Sequence, residues 1–147
     1  IMRGEIIWQK SKGANANFAW GSWLSASNPV IRDIHEYCLV FSKESMSKTS
    51  EGSSTIEKEE FMESTLSIWN IPPARAKKIG HPAPYPVELV ERFIKLYTYK
   101  DDLVLDPFIG SGTSAIGAIN LNRNYIGYET KEEYTELAQK RIKEETS

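Results

Sequence analysis

Cysteine is nearly absent from this chain. The single Cys38 excludes an intrachain disulfide framework and any multi-cysteine zinc site, and no metal centre is expected. No apolar run approaches the length that crosses a bilayer, and the start of the chain has no signal-peptide pattern, so a cytoplasmic protein without membrane contact is expected. A strong excess of charge is also missing. The net value of −2 is not that of a general coater of DNA. What remains is 147 residues with the apolar and charged fractions of a globular domain, enough to bury a real core.

The small net charge hides blocks. Residues 1–43 carry five basic and three acidic side chains, and residues 44–66 carry two and six. Residues 67–100 carry six and two, and residues 101–147 carry five and nine. The basic blocks can face a polyanion while the acidic ones point elsewhere, although charge runs are usually only solvated faces.

Three stretches can be read along the chain. "GEIIWQ" (4–9) and "EYCLVFS" (36–42) are β-branched and aromatic, and predict two strands. The loop between them is rich in Asn, Ser, Gly and Trp. Residues 43–66 begin polar and end in the charged, helix-compatible "IEKEEFMES", which marks a flexible or variable insert. From residue 67 the pattern tightens. "LSIWNIPPARAKKIGHPAPYP" reads as extended and proline-punctuated, and "VELVERFIKLYT" places Val87, Leu89, Val90, Phe93, Ile94 and Tyr97 on one helical face.

"DLVLD" then predicts a buried strand ending at Asp106, "TSAIGAINLN" a small-residue helix, and "NYIGYE" a second buried strand ending at Glu129. A closing amphipathic helix carries Tyr134, Leu137, Ala138 and Ile142 on one side. Strand, glycine turn, helix, strand, helix is a βαβα unit and implies a parallel sheet. A strand at the very start, with no lead-in, is expected where a polypeptide is a piece of something longer.

The corner "DPFIGSGT" (106–113) is the informative part. Gly110 and Gly112 remove Cβ atoms where the backbone turns sharply and a ligand can come close. Glu129 stands at the distance expected of a ribose-binding acid. A dinucleotide reading fits poorly, because Ala115 occupies the place of the third glycine and Asp106 would repel a pyrophosphate at the mouth of the loop. A positively charged ligand without phosphate would welcome that carboxylate.

Here the sequence resembles the S-adenosyl-L-methionine-dependent DNA amino-methyltransferases, in the order where the target-recognition segment precedes the cofactor motif. "DPFIGSGT" matches the family's cofactor loop, "NYIGYE" its ribose-binding strand and "GHPAPYP" the segment completing the methionine end. "EIIWQK" and "HEYCLVFSK" are similar to its strand pair after the catalytic motif. The resemblance implies an α/β, Rossmann-like methyltransferase fold with helices on both faces of a parallel sheet, incomplete in this chain. Residues 1–43 would be a strand pair and target-facing loop, 44–66 the insert and 67–147 the cofactor-binding portion of one domain.

It further implies that Asp106 faces the methionine ammonium and that Pro107 and Phe108 line the pocket. Gly110 and Gly112 would allow close approach, Ser111 and Thr113 would offer hydrogen bonds, and Glu129 would hold the ribose. His81, Pro82 and Tyr85 would shape the carboxylate end. Lys10, Lys12, Trp20, Trp23, Arg75 and Lys77 are candidates to face double-stranded DNA. His81 remains open between ligand contact and a turn cap. His35 is expected to pack locally and Cys38 to be inert core, while Trp8, Trp20, Trp23 and Trp69 serve as core anchors or as base-stacking groups.

One motif is missing. The family holds the target amine with an acid, serine or asparagine followed by Pro-Pro and an aromatic. The only Pro-Pro here, in "NIPPARA" (70–76), has Ile71 intervening and Ala74 in place of the aromatic, and is expected to be a linker turn. No catalytic residue can be named. The expectation is methyl transfer to cytosine N4 or adenine N6 in DNA, with a slight lean to cytosine from the "WNIPP…GHPAPYP" run, and with a second polypeptide or a homodimer supplying the missing half. A non-catalytic cofactor- or DNA-binding subunit and an NAD-linked oxidoreductase are the alternatives.

Overall fold

The computed structural model describes residues 1–11, 31, 33–48, 50–80 and 84–146, with backbone alone for Lys77 and Lys78. The elements run β1 (Met2–Gln9), β2 (His35–Phe41), α1 (Lys58–Ser64), β3 (Ile68–Asn70), α2 (Ala76–Ile79), α3 (Val87–Tyr97), β4 (Leu103–Asp106), α4 (Thr113–Asn120), β5 (Asn124–Gly127) and α5 (Glu132–Glu145). They include the βαβα unit, with β4 and β5 parallel from Leu103 opposite Asn124 to Asp106 opposite Gly127. The expected α/β architecture is present.

The first sheet has the order β2-β1-β3, with β2 antiparallel and β3 parallel to the central β1. Alternation along β1 turns Ile6 and Trp8 inward, where they join Trp69, Ile71 and Leu89 in one core. Cys38, Val40, Phe93 and Leu96 pack against that cluster. The Phe93 ring lies 4.8 Å from Trp69, and Trp8 Nε1 donates to the Ile71 carbonyl oxygen at 2.8 Å. Ile71, fully buried, therefore belongs to the core and its carbonyl is already bonded. That agrees with a structural role for "NIPP". Cys38 is half-buried against the core and not a member of it, its thiol pushed up by burial, and His35 stacks edge-on to Tyr37 at 5.0 Å.

Helix α3 also meets α4, whose Gly117 leaves room for Val90: a Cβ there would lie 3.2 Å from Val90 Cγ1. Small residues in α4 thus allow the two helices to approach closely.

Three expectations need correction. Strands β4 and β5 are not buried here: Leu103 and Leu105 are 57 % and 60 % exposed, and Ile126 is exposed as well. Helices cover one face of this pair and, among the described residues, the face bearing Leu103 and Leu105 stays open. The second strand also ends at Gly127, so Glu129 lies two residues beyond it. The stretch 67–86 is extended at β3 as expected, but the single-turn α2 interrupts it.

Among its described residues the polar half of 43–66 has no regular element, yet these are fastened down. Lys48 pairs with Asp102, Arg3 donates to the Met46 carbonyl, and Lys100 N–H donates to Ser53 O at 3.0 Å. Gly52 lies so close to the Tyr99 ring that a Cβ would come within 2.6 Å of it. Helix α1 is tied to α3 by Arg92–Glu63 and Lys95–Glu60 pairs.

Candidate functional site

The corner after β4 is built from its own sequence. Asp106 Oδ1 accepts the Phe108 N–H at 2.9 Å, a short side-chain-to-backbone turn across Pro107. Ile109 N–H donates to Tyr128 O, and Gly112 N–H donates to Ile109 O at 2.9 Å. Gly110 and Gly112 sit at φ 51° and 84°, the left-handed region that disfavours a Cβ. Gly112 is also the N-cap of α4, and a Cβ there would meet Ala138 Cβ at 3.1 Å and Cα at 3.2 Å. Packing against α5 demands that glycine as firmly as the turn does.

Two carboxylates leave the carboxyl ends of neighbouring strands. Asp106 Oδ2 accepts from Ser114 Oγ and, at 3.2 Å, from Tyr85 OH; the Tyr85 and Ser114 hydroxyls are 2.7 Å apart. Burial, opposed by the bond to Ser114, pushes the Tyr85 phenol up to about 12, so it remains a donor at neutral pH. Asp106 is thereby held by α4 and by the lead-in to α3.

Glu129 is exposed, and its Oε1 accepts the N–H groups of Thr130 at 2.8 Å and Lys131 at 2.9 Å. The Lys131 N–H, opposed by desolvation and helped by Thr130 and Gly110, holds this carboxyl below its ordinary range. A pKa lowered by folding adds stability that is complete above the unfolded value and is lost as pH falls through the folded one. The Glu129 carboxyl should therefore titrate, by carbon-detected NMR, below its value in the urea-unfolded chain. Equal midpoints would contradict the backbone cap.

Phe108 is 85 % exposed, at the open side of the corner. Ser111 and Thr113 are a correction. Their hydroxyls were expected at the ligand, but both are buried and accept from Arg141 Nη1 of α5, at 2.9 and 3.3 Å. His81 and Pro82 lie outside the described residues. A cleft of about 690 Å³ runs between Arg75, Tyr85, Leu137 and Arg141 on the helical side, and does not include Asp106, Phe108 or Glu129.

Of the candidates to face DNA, Lys10 pairs with Glu36 while lying over the Trp8 ring, and Arg75 is exposed at the start of α2. Lys12, Trp20 and Trp23 lie outside the described residues, as does the Lys77 side chain. Three contributors escape a reading of the sequence. Ser114 follows the glycine loop directly and reads there as plain helix. Arg141 lies on the stripe of Leu137 and Ala138, where a cation signals a buried partner. Gly127 leaves space for Ile109, whose Cβ and Cγ1 would lie 3.0 Å from an added Cβ.

Residues 1–140 match the family described as DNA methylase, and the chain belongs to that family. It is 34 % identical over 95 % of its length to the Type II methyltransferase M.MthZI of Methanothermobacter thermautotrophicus, covering 42 % of that protein. It is 36 % identical over 92 % of its length to M.BglI of Bacillus subtilis, covering 37 %. The fold matches TTHA0409 of Thermus thermophilus, solved with S-adenosyl-L-methionine, at TM-score 0.78 and 28 % identity, over 99 % of this chain and 54 % of that one. The chain thus spans less than half the length of these two curated relatives.

Proposed function

We propose that this chain is the S-adenosyl-L-methionine-binding part of a DNA methyltransferase that modifies an exocyclic amine, cytosine N4 or adenine N6, in double-stranded DNA. One observation carries the reading: Asp106 and Glu129 flank a left-handed glycine loop at the carboxyl ends of adjacent parallel strands. The residues fit the cofactor chemically. A negative Asp106 suits an ammonium and would repel a pyrophosphate, and the anchored Glu129 carboxylate suits a ribose diol. Phe108 offers an exposed ring face, which favours a sulfonium.

When bound, the cofactor supplies an electrophilic methyl group. This chain's share is orientation: Asp106 and Glu129 fix the two ends of the ligand, while Gly110 and Gly112 let it approach the backbone. Tyr85 would shape the methionine end through Asp106, and His81 and Pro82 would complete it. The amine-holding motif is absent from the sequence, so the remainder of a methyltransferase must supply it. Tyr37, Leu39 and Phe41 on β2, with Leu103 and Leu105 on β4, leave open apolar faces that suit such a remainder, in the same polypeptide or a second one. A homodimer is the alternative cover. The names of the relatives place such enzymes among Type II systems, and a cytoplasmic setting is consistent with DNA as substrate.

Calorimetric titration with S-adenosylhomocysteine tests the reading. Asp106→Ala and Glu129→Ala should each weaken binding more than tenfold, about 1.4 kcal/mol. Unchanged affinity in both variants would remove these residues from the cofactor site.

A further inference from the structure

Arg141 is a charged side chain only 8 % exposed, on a helix that the cofactor reading does not use. Burying a guanidinium is costly unless its donors are engaged. Its Nη1 donates to Ser111 O at 2.7 Å, to Ser111 Oγ and to Thr113 Oγ1, while Nε donates to Glu145 Oε1 at 3.0 Å. The fork thus spends one arm on the loop and braces itself with the other on its own helix.

The bond to Ser111 O matters most. Ser111 lies between two glycines in left-handed conformation, a setting in which a peptide plane can flip at little steric cost. Arg141 holds the Ser111 carbonyl inward, and the N–H of the same peptide plane, that of Gly112, donates to Ile109 O. The plane is pinned from both sides. We infer that Arg141 is a positioning residue: it holds the Gly110–Gly112 loop of the cofactor site in one backbone state, so that binding does not have to order it. The inference rests on the cofactor reading for its consequence, but not for the clamp itself.

A second buried arginine supplies the contrast. Arg123, bonded to Thr98 and to the Leu121 carbonyl, sits at the opposite end of β5 and touches no loop residue of the site. The experiment compares Arg141→Met, Arg141→Lys and Arg123→Met in the intact protein. It reads amide exchange at Gly112, normalised to the β1 core amides, and affinity for S-adenosylhomocysteine.

Arg141→Met should speed Gly112 exchange at least tenfold and weaken binding by about tenfold. Arg141→Lys, which keeps the charge and part of the donor set, should recover some of both and remains informative if the methionine variant folds poorly. Arg123→Met should lower thermal stability and leave both readouts in place. Protection of Gly112 retained in Arg141→Met would overturn the clamp. Faster exchange with undiminished affinity would overturn its role in binding. If the unaltered protein binds no S-adenosylhomocysteine, the cofactor reading fails instead, and the exchange comparison still decides the clamp.

Discussion

Replacing Trp69 with alanine is expected to cost about 3–5 kcal/mol of folding stability, the usual range for truncating a fully buried aromatic. The ring is 1 % exposed, stacks at a tilt on Phe93 and carries the Arg92 guanidinium 5.6 Å above it. It stands opposite Trp8 in the β1–β3 register, so its removal opens a void where sheet and α3 meet. Domains hold only about 5–15 kcal/mol in total, which makes this a large fraction. Urea unfolding measures it, with Trp69→Phe as the milder companion that keeps the aromatic contact. A loss below about 1 kcal/mol for Trp69→Ala would mean that the core does not depend on this residue.

Gly112→Ala is expected to cost roughly 2–4 kcal/mol, from two separable sources. A Cβ at φ 84° is strained by about 1–2 kcal/mol. The remainder comes from collision with Ala138, at 3.1 Å from its Cβ and 3.2 Å from its Cα. Backbone of α5 cannot rotate away as a long side chain could. Pairing the change with Ala138→Gly should recover the share due to the Ala138 Cβ and leave the backbone contact and the conformational part, so the double-mutant cycle should show favourable coupling. Strict additivity would place the whole cost in the turn and the α5 backbone contact. Wild-type stability in Gly112→Ala would contradict both sources.

These two residues are not equally legible in the sequence. The glycine corner can be read because a turn after a short apolar run, followed by a small-residue helix, is a local signal. The order of strands and helices is legible for the same reason. Trp69 is ambiguous, because a tryptophan beside prolines serves a core or a binding surface equally well until its neighbours are known. Burial of β4 and β5 is where the sequence misleads: "DLVLD" and "NYIGYE" have the continuous apolar character of strands covered on both sides, and what covers them is not written in them. The anchoring of residues 44–57 depends on Lys48 meeting Asp102 and Gly52 meeting Tyr99, contacts across about fifty positions that no local pattern reveals.

In the proposed site, residue types single out one corner and say less about direction. Asp106 ends β4 as expected, whereas Glu129 lies two residues past the end of β5. Ser111 and Thr113 read as ligand contacts because hydroxyls beside glycines often are. A buried arginine thirty residues away claims them instead. Arg141 is readable in principle, as a cation at a core position of an amphipathic helix, and that pattern is a usable signal elsewhere.

The central claim is that the glycine corner of this chain holds S-adenosyl-L-methionine and not a dinucleotide. The most direct measurement is a titration of S-adenosylhomocysteine into the intact protein, repeated in the presence of excess NAD. The account predicts saturable binding that NAD leaves unchanged and that Asp106→Ala abolishes or weakens more than tenfold. Binding of NAD in place of S-adenosylhomocysteine, with Asp106→Ala improving it, would contradict the account.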